Sequence, residues 1–416
     1  MNLTEEQKLA AENNNLTSLI SASAGSGKTY TIAARVGYLI EEQGLSPEEI
    51  MAITFSRKAA RELQSRVNEG VSAGTFHSII LKRCQELELE INVLDDEESD
   101  SLYDEVAKML GIFLNGKWLK HSRNHYRKQV KSFREGKMDS PTPFVELYLS
   151  RLAISGSEDY DGILVRGISM ALSGRFSNYR HVLVDESQDC EELQFEFVKA
   201  LGIPTTYVGD ESQCIYEFRG AKPQLLKATT DNCFILSQTF RCPSHVVNIA
   251  NRLPLETKMS TSKTDGQIMR SGKLEEVLPA ILEARDPEDI AILCRYGKQV
   301  EKYSQALYDM GLQVAELQRP PRGPIWSMLK YLQCPSSETC RKGVSDKWGS
   351  ISHDFKPILW ASSSAPTSSV HALTANYMRR FGNNPSVGDI MNSVQVPHHL
   401  LNEHKYFMQE HYDCLL

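Results

Sequence analysis

The sequence predicts an α/β fold: a parallel sheet with a helical subdomain inserted between its strands. Three observations carry this. Four short runs, Leu19-Ile20, Ile50-Met51-Ala52-Ile53-Thr54-Phe55, Val182-Leu183-Val184 and Thr205-Thr206-Tyr207-Val208, are apolar or β-branched and end at polar loops. Strands buried on both faces read as continuous runs of this kind. Stretches with helical periodicity lie between them, from Thr31 to Glu42 and from Arg57 to Asn68. The polar residues follow the strand ends, which is where open α/β sheets place ligands.

Along the chain, the pattern between Leu81 and Ser173 turns helical and polar, which predicts the insertion. After Arg241 the α/β signal returns once, as Asp289-Ile290-Ala291-Ile292-Leu293-Cys294 followed by a helix from Lys298 to Met310, predicting one βα unit of a second domain. Beyond Pro320 the chain is rich in Pro, Ser and Gly, with weak periodicity and no internal repeat.

The 416 residues suit two to four domains, and 41% hydrophobic with 24% charged residues is enough to build a core. A formal net charge of −7 excludes a histone-like binder that neutralises phosphates over a whole face, so any nucleic-acid site must be local. The nine cysteines include no CxxC pair, and Cys334 and Cys340 lack the partners a zinc site needs, which predicts reduced thiols. The start, Met1-Asn2-Leu3-Thr4-Glu5-Glu6, is acidic where a secretory signal is basic, and no run approaches a membrane span. A soluble, cytoplasmic protein with no membrane partner is expected.

Ala22-Ser23-Ala24-Gly25-Ser26-Gly27-Lys28-Thr29 follows a strand and opens a helix. In that setting Ala24, Gly25, Ser26 and Gly27 let backbone amides approach phosphate oxygens, with the helix N-terminus adding partial positive charge. Lys28 would reach the β and γ phosphates, and Thr29 would ligate magnesium. Asp185 and Glu186, after Val182-Leu183-Val184, supply a carboxylate for Mg2+ and a base for water. An acidic pair after a strand is also a common solvated cap; the upstream glycine loop favours the catalytic reading.

With these segments in hand the chain resembles the UvrD/Rep group of superfamily 1A helicases, through ordered motifs spanning about residues 3–243. The resemblance implies a P-loop NTPase with a RecA-like sheet, ATP and Mg2+ as cofactors, and translocation 3′ to 5′ on single-stranded DNA up to duplex junctions. Leu3-Thr4-x-x-Gln7-x-x-Ala10 resembles the Q motif, whose glutamine reads adenine; a helix cap explains Gln7 equally well. Thr54-Phe55-Ser56-Arg57 and Gly74-Thr75-Phe76-His77-Ser78 resemble motifs Ia and Ib, which contact the strand in the family. Phe55 and Phe76 fit a core as well as a strand contact. Asp185-Glu186-Ser187-Gln188-Asp189 resembles motif II.

Gly209-Asp210-Glu211-Ser212-Gln213 through Tyr216-Glu217-Phe218-Arg219-Gly220 resembles motif III, which implies γ-phosphate sensing by Gln213 and base stacking on Tyr216 and Phe218. Phe218 stands where the family usually has tryptophan. Gln238-Thr239-Phe240-Arg241 resembles motif IV, placing Phe240 on the adenine and Arg241 against the γ-phosphate. Lys117, Lys120, Arg123, Arg127, Lys128, Lys131, Arg134 and Lys137 crowd the insertion, as either a local nucleic-acid patch or a solvated helix face.

Motifs V and VI are not found. The resemblance divides the chain into a RecA-like lobe (1–84 and 174–243), an inserted helical subdomain (85–173), an incomplete second RecA-like lobe (244–325) and a truncated or divergent region (326–416) entered by the helix Ile325–Leu332. Three functions stay open: an autonomous helicase, a split helicase completed by a polypeptide carrying motifs V and VI, and a non-catalytic module that binds ATP and single-stranded DNA.

Overall fold

A computed structural model describes residues 3–310, apart from 115, 120, 254, 256, 265, 267, 269–273 and 287–288. The expectations for residues 311–416, among them the helix Ile325–Leu332, lie outside the described residues. Met1–Ser271 forms one compact unit and Gly272–Leu416 another.

α1 (Glu5–Ala11) starts from a capping box in which the Thr4 hydroxyl accepts from the Gln7 N–H and the Gln7 side chain accepts from the Thr4 N–H. β1 (Thr17–Ala22) feeds the glycine loop and α2 (Lys28–Glu41), followed by β2 (Ile50–Thr54), α3 (Arg57–Gln64), β3 (Ser72–Thr75) and α4 (Phe76–Glu86). The insertion holds β4 (Asn92–Val93), α5 (Asp96–Met109), β5 (Phe113–Leu114), β6 (Lys117–Trp118), α6 (Arg123–Arg134), α7 (Pro143–Ser155) and β7 (Ser157–Glu158). α8 (Tyr160–Leu172), β8 (His181–Val184), α9 (Glu192–Leu201), β9 (Thr205–Gly209), α10 (Pro223–Lys227), β10 (Cys233–Leu236) and α11 (Ser244–Ala250) complete the first unit's main elements.

The sheet is six-stranded and parallel, in the order β10-β1-β9-β8-β2-β3. Successive side chains of a strand point to opposite faces, so each buried strand feeds two cores. Met51, Ile53, Val182 and Val184 pack on one face with Ile80 of α4, Ile163 of α8 and Phe197 of α9. Ile50, Ala52, Leu183 and Val208 pack on the other with Ile32 and Val36 of α2. Every residue of β2, β8 and β9 is buried, which explains the uninterrupted apolar runs.

The insertion has its own aromatic core, in which Tyr103, Tyr126, Phe144 and Tyr148 are buried together. α8, placed in the insertion by the sequence, packs instead on the main sheet. A Cβ at Gly167 would lie 2.4 Å from Ile80 Cδ1 and 3.2 Å from Phe197, so this helix runs in close contact with α4 and α9. Its apolar spacing, Ile163, Leu164, Gly167, Met170 and Ala171, explains the change.

Two further expectations are corrected. Residues 244–271 belong to the first compact unit, past the boundary at 243. Thr239 N–H donates to Ser260 O (2.8 Å) and Ser244 N–H to Lys263 O (2.8 Å), tying them to the segment after β10. In the second unit α12 (Leu274–Ala284) and α13 (Gly297–Asp309) are helical, while Ile290–Cys294 forms no strand among the described residues. Leu293 there is 95% exposed, and among the described residues the run predicted as a buried strand has no neighbouring ladder. No helix among the described residues is long and apolar enough to cross a membrane.

Candidate nucleotide and strand site

The glycine loop sits at the C-terminal end of β1, with Gly25 at φ +77° and Gly27 at φ +84°. Conformation favours glycine at both, and at Gly25 space requires it as well. A Cβ at Gly25 would meet Arg241 Cβ at 2.5 Å and the Thr239 hydroxyl at 2.7 Å; one at Gly27 would meet Gln7 Nε2 at 2.8 Å. The loop is braced from both sides. Gln7 Nε2 donates to Ser26 O (2.9 Å), Thr239 Oγ1 to Ala24 O (2.7 Å) and the Phe240 N–H to Gly25 O (2.9 Å). Gln7, offered by the sequence as an adenine reader or a cap, caps α1 and holds the loop. Thr239 carried no role in the sequence reading; its place between Gln238 and Phe240 was the available signal. Phe240 and Arg241 are exposed beside the loop.

Lys28 Nζ bonds Glu186 Oε2 at 2.7 Å. Glu186 follows β8 with φ +51°, a left-handed conformation that costs a non-glycine residue about 1–3 kcal/mol and is retained where neighbours over-determine it. Here Glu186 N–H donates to Asp185 Oδ1 (2.9 Å), and Gln188 Nε2 donates to Glu186 Oε2 (2.7 Å). Gln188 Oε1 accepts from the Asp210 N–H (3.1 Å), and Gln213 Nε2 donates to Asp210 Oδ2 (2.7 Å) and Ala22 O (3.2 Å). A continuous polar chain therefore runs from Lys28 through Glu186 and Gln188 to the Asp210–Gln213 loop. Gln188 is a residue whose part the sequence did not assign.

Burial pushes the Asp185 carboxyl up to about 7, the adjacent Glu186 adds to the rise, and Lys28 opposes it. Asp189 is raised for the same first two reasons. A divalent cation would reverse this penalty. Three observations fit a magnesium nucleotide: the two-glycine cradle, the buried Ser26 hydroxyl without a partner among the described residues, and the carboxylates facing Lys28. Among the described residues no group of three or more His, Cys, Asp or Glu could hold a metal alone. Magnesium bound through a hydroxyl, one carboxylate and substrate phosphates needs none.

The strand residues divide. Phe55 and Tyr216 stack at 5.0 Å between ring centroids, and Phe218 lies 6.3 Å from Tyr216 and is 83% exposed. Thr75 caps α4, accepting from the Ser78 N–H. Phe76, proposed as a strand contact, is 1% exposed and packs edge-on against Phe197, so no base can reach its face. His77 Nε2 lies 3.1 Å from Tyr160 O, and burial lowers its pKa.

The basic cluster is largely answered by acids. Arg123 pairs with Asp104 (2.7 Å) and Asp100 (2.9 Å), Arg127 with Asp100, Lys131 with Glu191, Arg134 with Asp159 (2.7 Å) and Lys137 with Glu135 (2.8 Å) and Glu192. Lys117 and Lys128 are exposed with no carboxylate within 4 Å among the described residues, and Lys120 lies outside them. Most of the patch expected from the sequence is thus internal pairing.

Parallel sheet, glycine cradle and facing carboxylates define a nucleotide-binding domain of the P-loop class. The profile of the UvrD/REP helicase N-terminal domain matches residues 3–233, more than half of the chain, and the chain belongs to that family. Among its relatives, the probable DNA helicase II homolog of Mycoplasma capricolum is 30% identical over 315 residues, covering 66% of this chain and 44% of the relative. The ATP-dependent DNA helicase Rep of Buchnera aphidicola from Acyrthosiphon pisum is 30% identical over 343 residues, 73% of this chain and 53% of the relative. DNA helicase IV of Escherichia coli is 25% identical over 375 residues, 71% and 54% respectively. The chain spans about half the length of the curated relatives it matches.

Proposed function

We propose that this chain hydrolyses ATP with magnesium and uses the energy to move 3′ to 5′ along single-stranded DNA and open duplex at junctions. The observation that carries this is the polar chain from Lys28 through Glu186 and Gln188 to Asp210 and Gln213, because the same segment continues to Tyr216 and Phe218. Nucleotide chemistry and strand grip then share one loop. Relatives named as ATP-dependent DNA helicases support ATP and DNA as the ligands.

In this reading Lys28 leaves Glu186 for the β and γ phosphates, and backbone amides of residues 24–28 bind the same oxygens. Thr29 and Asp185 would hold magnesium, which when bound would supply positive charge against the phosphates. Glu186, released, orients the attacking water and takes its proton as the water oxygen bonds the γ-phosphorus, while the bond from that phosphorus to the oxygen bridging the β-phosphate breaks and ADP leaves with the electron pair. Gln213 and Arg241 contact the transferred phosphoryl group, and Phe240 covers the adenine. Phe55, Tyr216 and Phe218 stack bases, with Thr75 and His77 beside the backbone.

The test is displacement of a labelled strand from 3′-tailed and 5′-tailed partial duplexes, with Glu186→Gln as control. Opening of the 3′-tailed substrate alone, lost in Glu186→Gln with ATP affinity retained, is the expected result. Opening of the 5′-tailed substrate overturns the polarity, and full hydrolysis by Glu186→Gln overturns the base. Strand-stimulated hydrolysis without displacement on either substrate favours motifs V and VI supplied in trans.

A further inference from the structure

The pairing of the insertion's cations has a pattern beyond neutralisation. α6 carries Lys131, whose ammonium pairs with Glu191, 60 residues later, with the two side chains 24% and 23% exposed. Glu191 directly follows Asp189 and Cys190 of the carboxylate loop and starts α9, its N–H donating to Gln194 Oε1 at 2.9 Å. It also forms an antiparallel bridge with Ala221, and Lys222 N–H donates to Cys190 O at 2.8 Å. One residue therefore joins the segment after the carboxylates to the segment after Phe218.

The pair rests on Gly220. Its φ of +115° favours glycine, and a Cβ there would lie 2.8 Å from Lys131 Nζ and 3.5 Å from the Glu191 carboxyl carbon, so a side chain would strain the backbone and push the lysine end off the pair. Across a groove of about 780 Å3, Lys131 and Lys128 of α6 face Phe218, Arg219 and Lys222. Phe218 is almost wholly exposed, so its ring is placed by the loop backbone and not by packing. Whatever fixes residues 219–222 fixes that ring.

We propose that Lys131 and Glu191 are positioning residues: their ion pair, seated on Gly220, clamps the inserted subdomain to the loop bearing Tyr216 and Phe218 and so sets how strand binding stimulates nucleotide turnover. The link to turnover rests on the function proposed above; the clamp on the loop does not. A partly buried pair of this kind loses its geometry when either charge is removed, and neighbours that share it should show coupling.

The variants are Lys131→Met, Glu191→Gln, Lys131→Arg and the reversed pair Lys131→Glu/Glu191→Lys. Each is read by hydrogen exchange over residues 214–222, by basal ATP turnover, and by the concentration of single-stranded DNA giving half-maximal stimulation. Both neutralising variants are expected to speed exchange about fivefold and raise the half-maximal concentration about tenfold, with basal turnover within about twofold. Lys131→Arg stays near the parent, and the reversed pair restores most of the loss. If Lys131→Met weakens strand binding while Glu191→Gln does not, and reversal restores nothing, Lys131 is a phosphate contact and the clamp is wrong. Variants that lower thermal stability without altering exchange at 214–222 or strand response also overturn it. A parent protein without strand-stimulated turnover refutes the proposed function, and the exchange measurement still decides the clamp.

Discussion

At the carboxyl ends of the strands a single lysine, Lys28, meets a carboxylate 158 residues away, while in the inserted subdomain Arg123, Arg127, Lys131, Arg134 and Lys137 each meet an acid within 60 residues. The first site has few charges, all aimed at one point by strained or glycine backbone: Gly25, Gly27 and Glu186 lie at positive φ. The second has many charges and spends them on its own architecture. Charge density along a sequence is thus a poor guide to ligand binding. What marks a site is charge held by backbone that serves no packing purpose.

That contrast can be broken by mutation. Lys28→Ala should cut ATP turnover about a hundred- to a thousandfold, as expected for removing a preorganised charge at the phosphoryl group; turnover within a few-fold of the parent in a steady-state assay would remove Lys28 from the chemistry. Arg134→Met should destabilise the first unit by about 3–5 kcal/mol, because it leaves the buried Asp159 without its cation, held among the described residues only by the Tyr148 hydroxyl (2.8 Å) and the Gly162 N–H (2.8 Å). Denaturant unfolding measures it, and an unchanged midpoint would mean that the pair is dispensable.

Phe218→Ala should weaken single-strand affinity by about 1–3 kcal/mol with nucleotide affinity kept, as read by anisotropy of a labelled oligonucleotide. Unchanged strand affinity would show that this exposed ring does not stack on bases. The smallest effect sharpens the comparison most. Lys128→Ala should reduce the slope of log affinity against log salt by about 0.7, as for one phosphate contact on single strands, while Arg123→Met leaves it unchanged. A slope change for Arg123 would show that its pairing with Asp104 yields to phosphate.

The legible part of this protein was the part written in local chemistry. Gly25, Gly27, Lys28, Asp185 and Glu186 sit within a few residues of strands that are buried throughout in β8 and over most of β1, so fold class and carboxylate placement followed from short windows. The partners of the insertion's cations were not legible, since Glu191 and Asp159 are far along the chain and a helix face of lysines and arginines looks the same paired or free. α8 was assigned to the insertion because its polar neighbours masked the helical spacing of Ile163, Leu164 and Met170. Phe76 differs from Phe55 only by lying at the start of a helix whose apolar face turns toward Phe197. Ile290–Cys294 has a strand's composition, but composition does not supply a neighbouring strand.

The central claim is that the Lys28–Glu186 cradle is a nucleotide site coupled to the strand loop. It is tested most directly by steady-state ATP hydrolysis of the chain with and without single-stranded DNA, beside Lys28→Ala. Turnover that rises with DNA and vanishes in Lys28→Ala is the predicted result; turnover that ignores DNA, or survives the loss of Lys28, would contradict it.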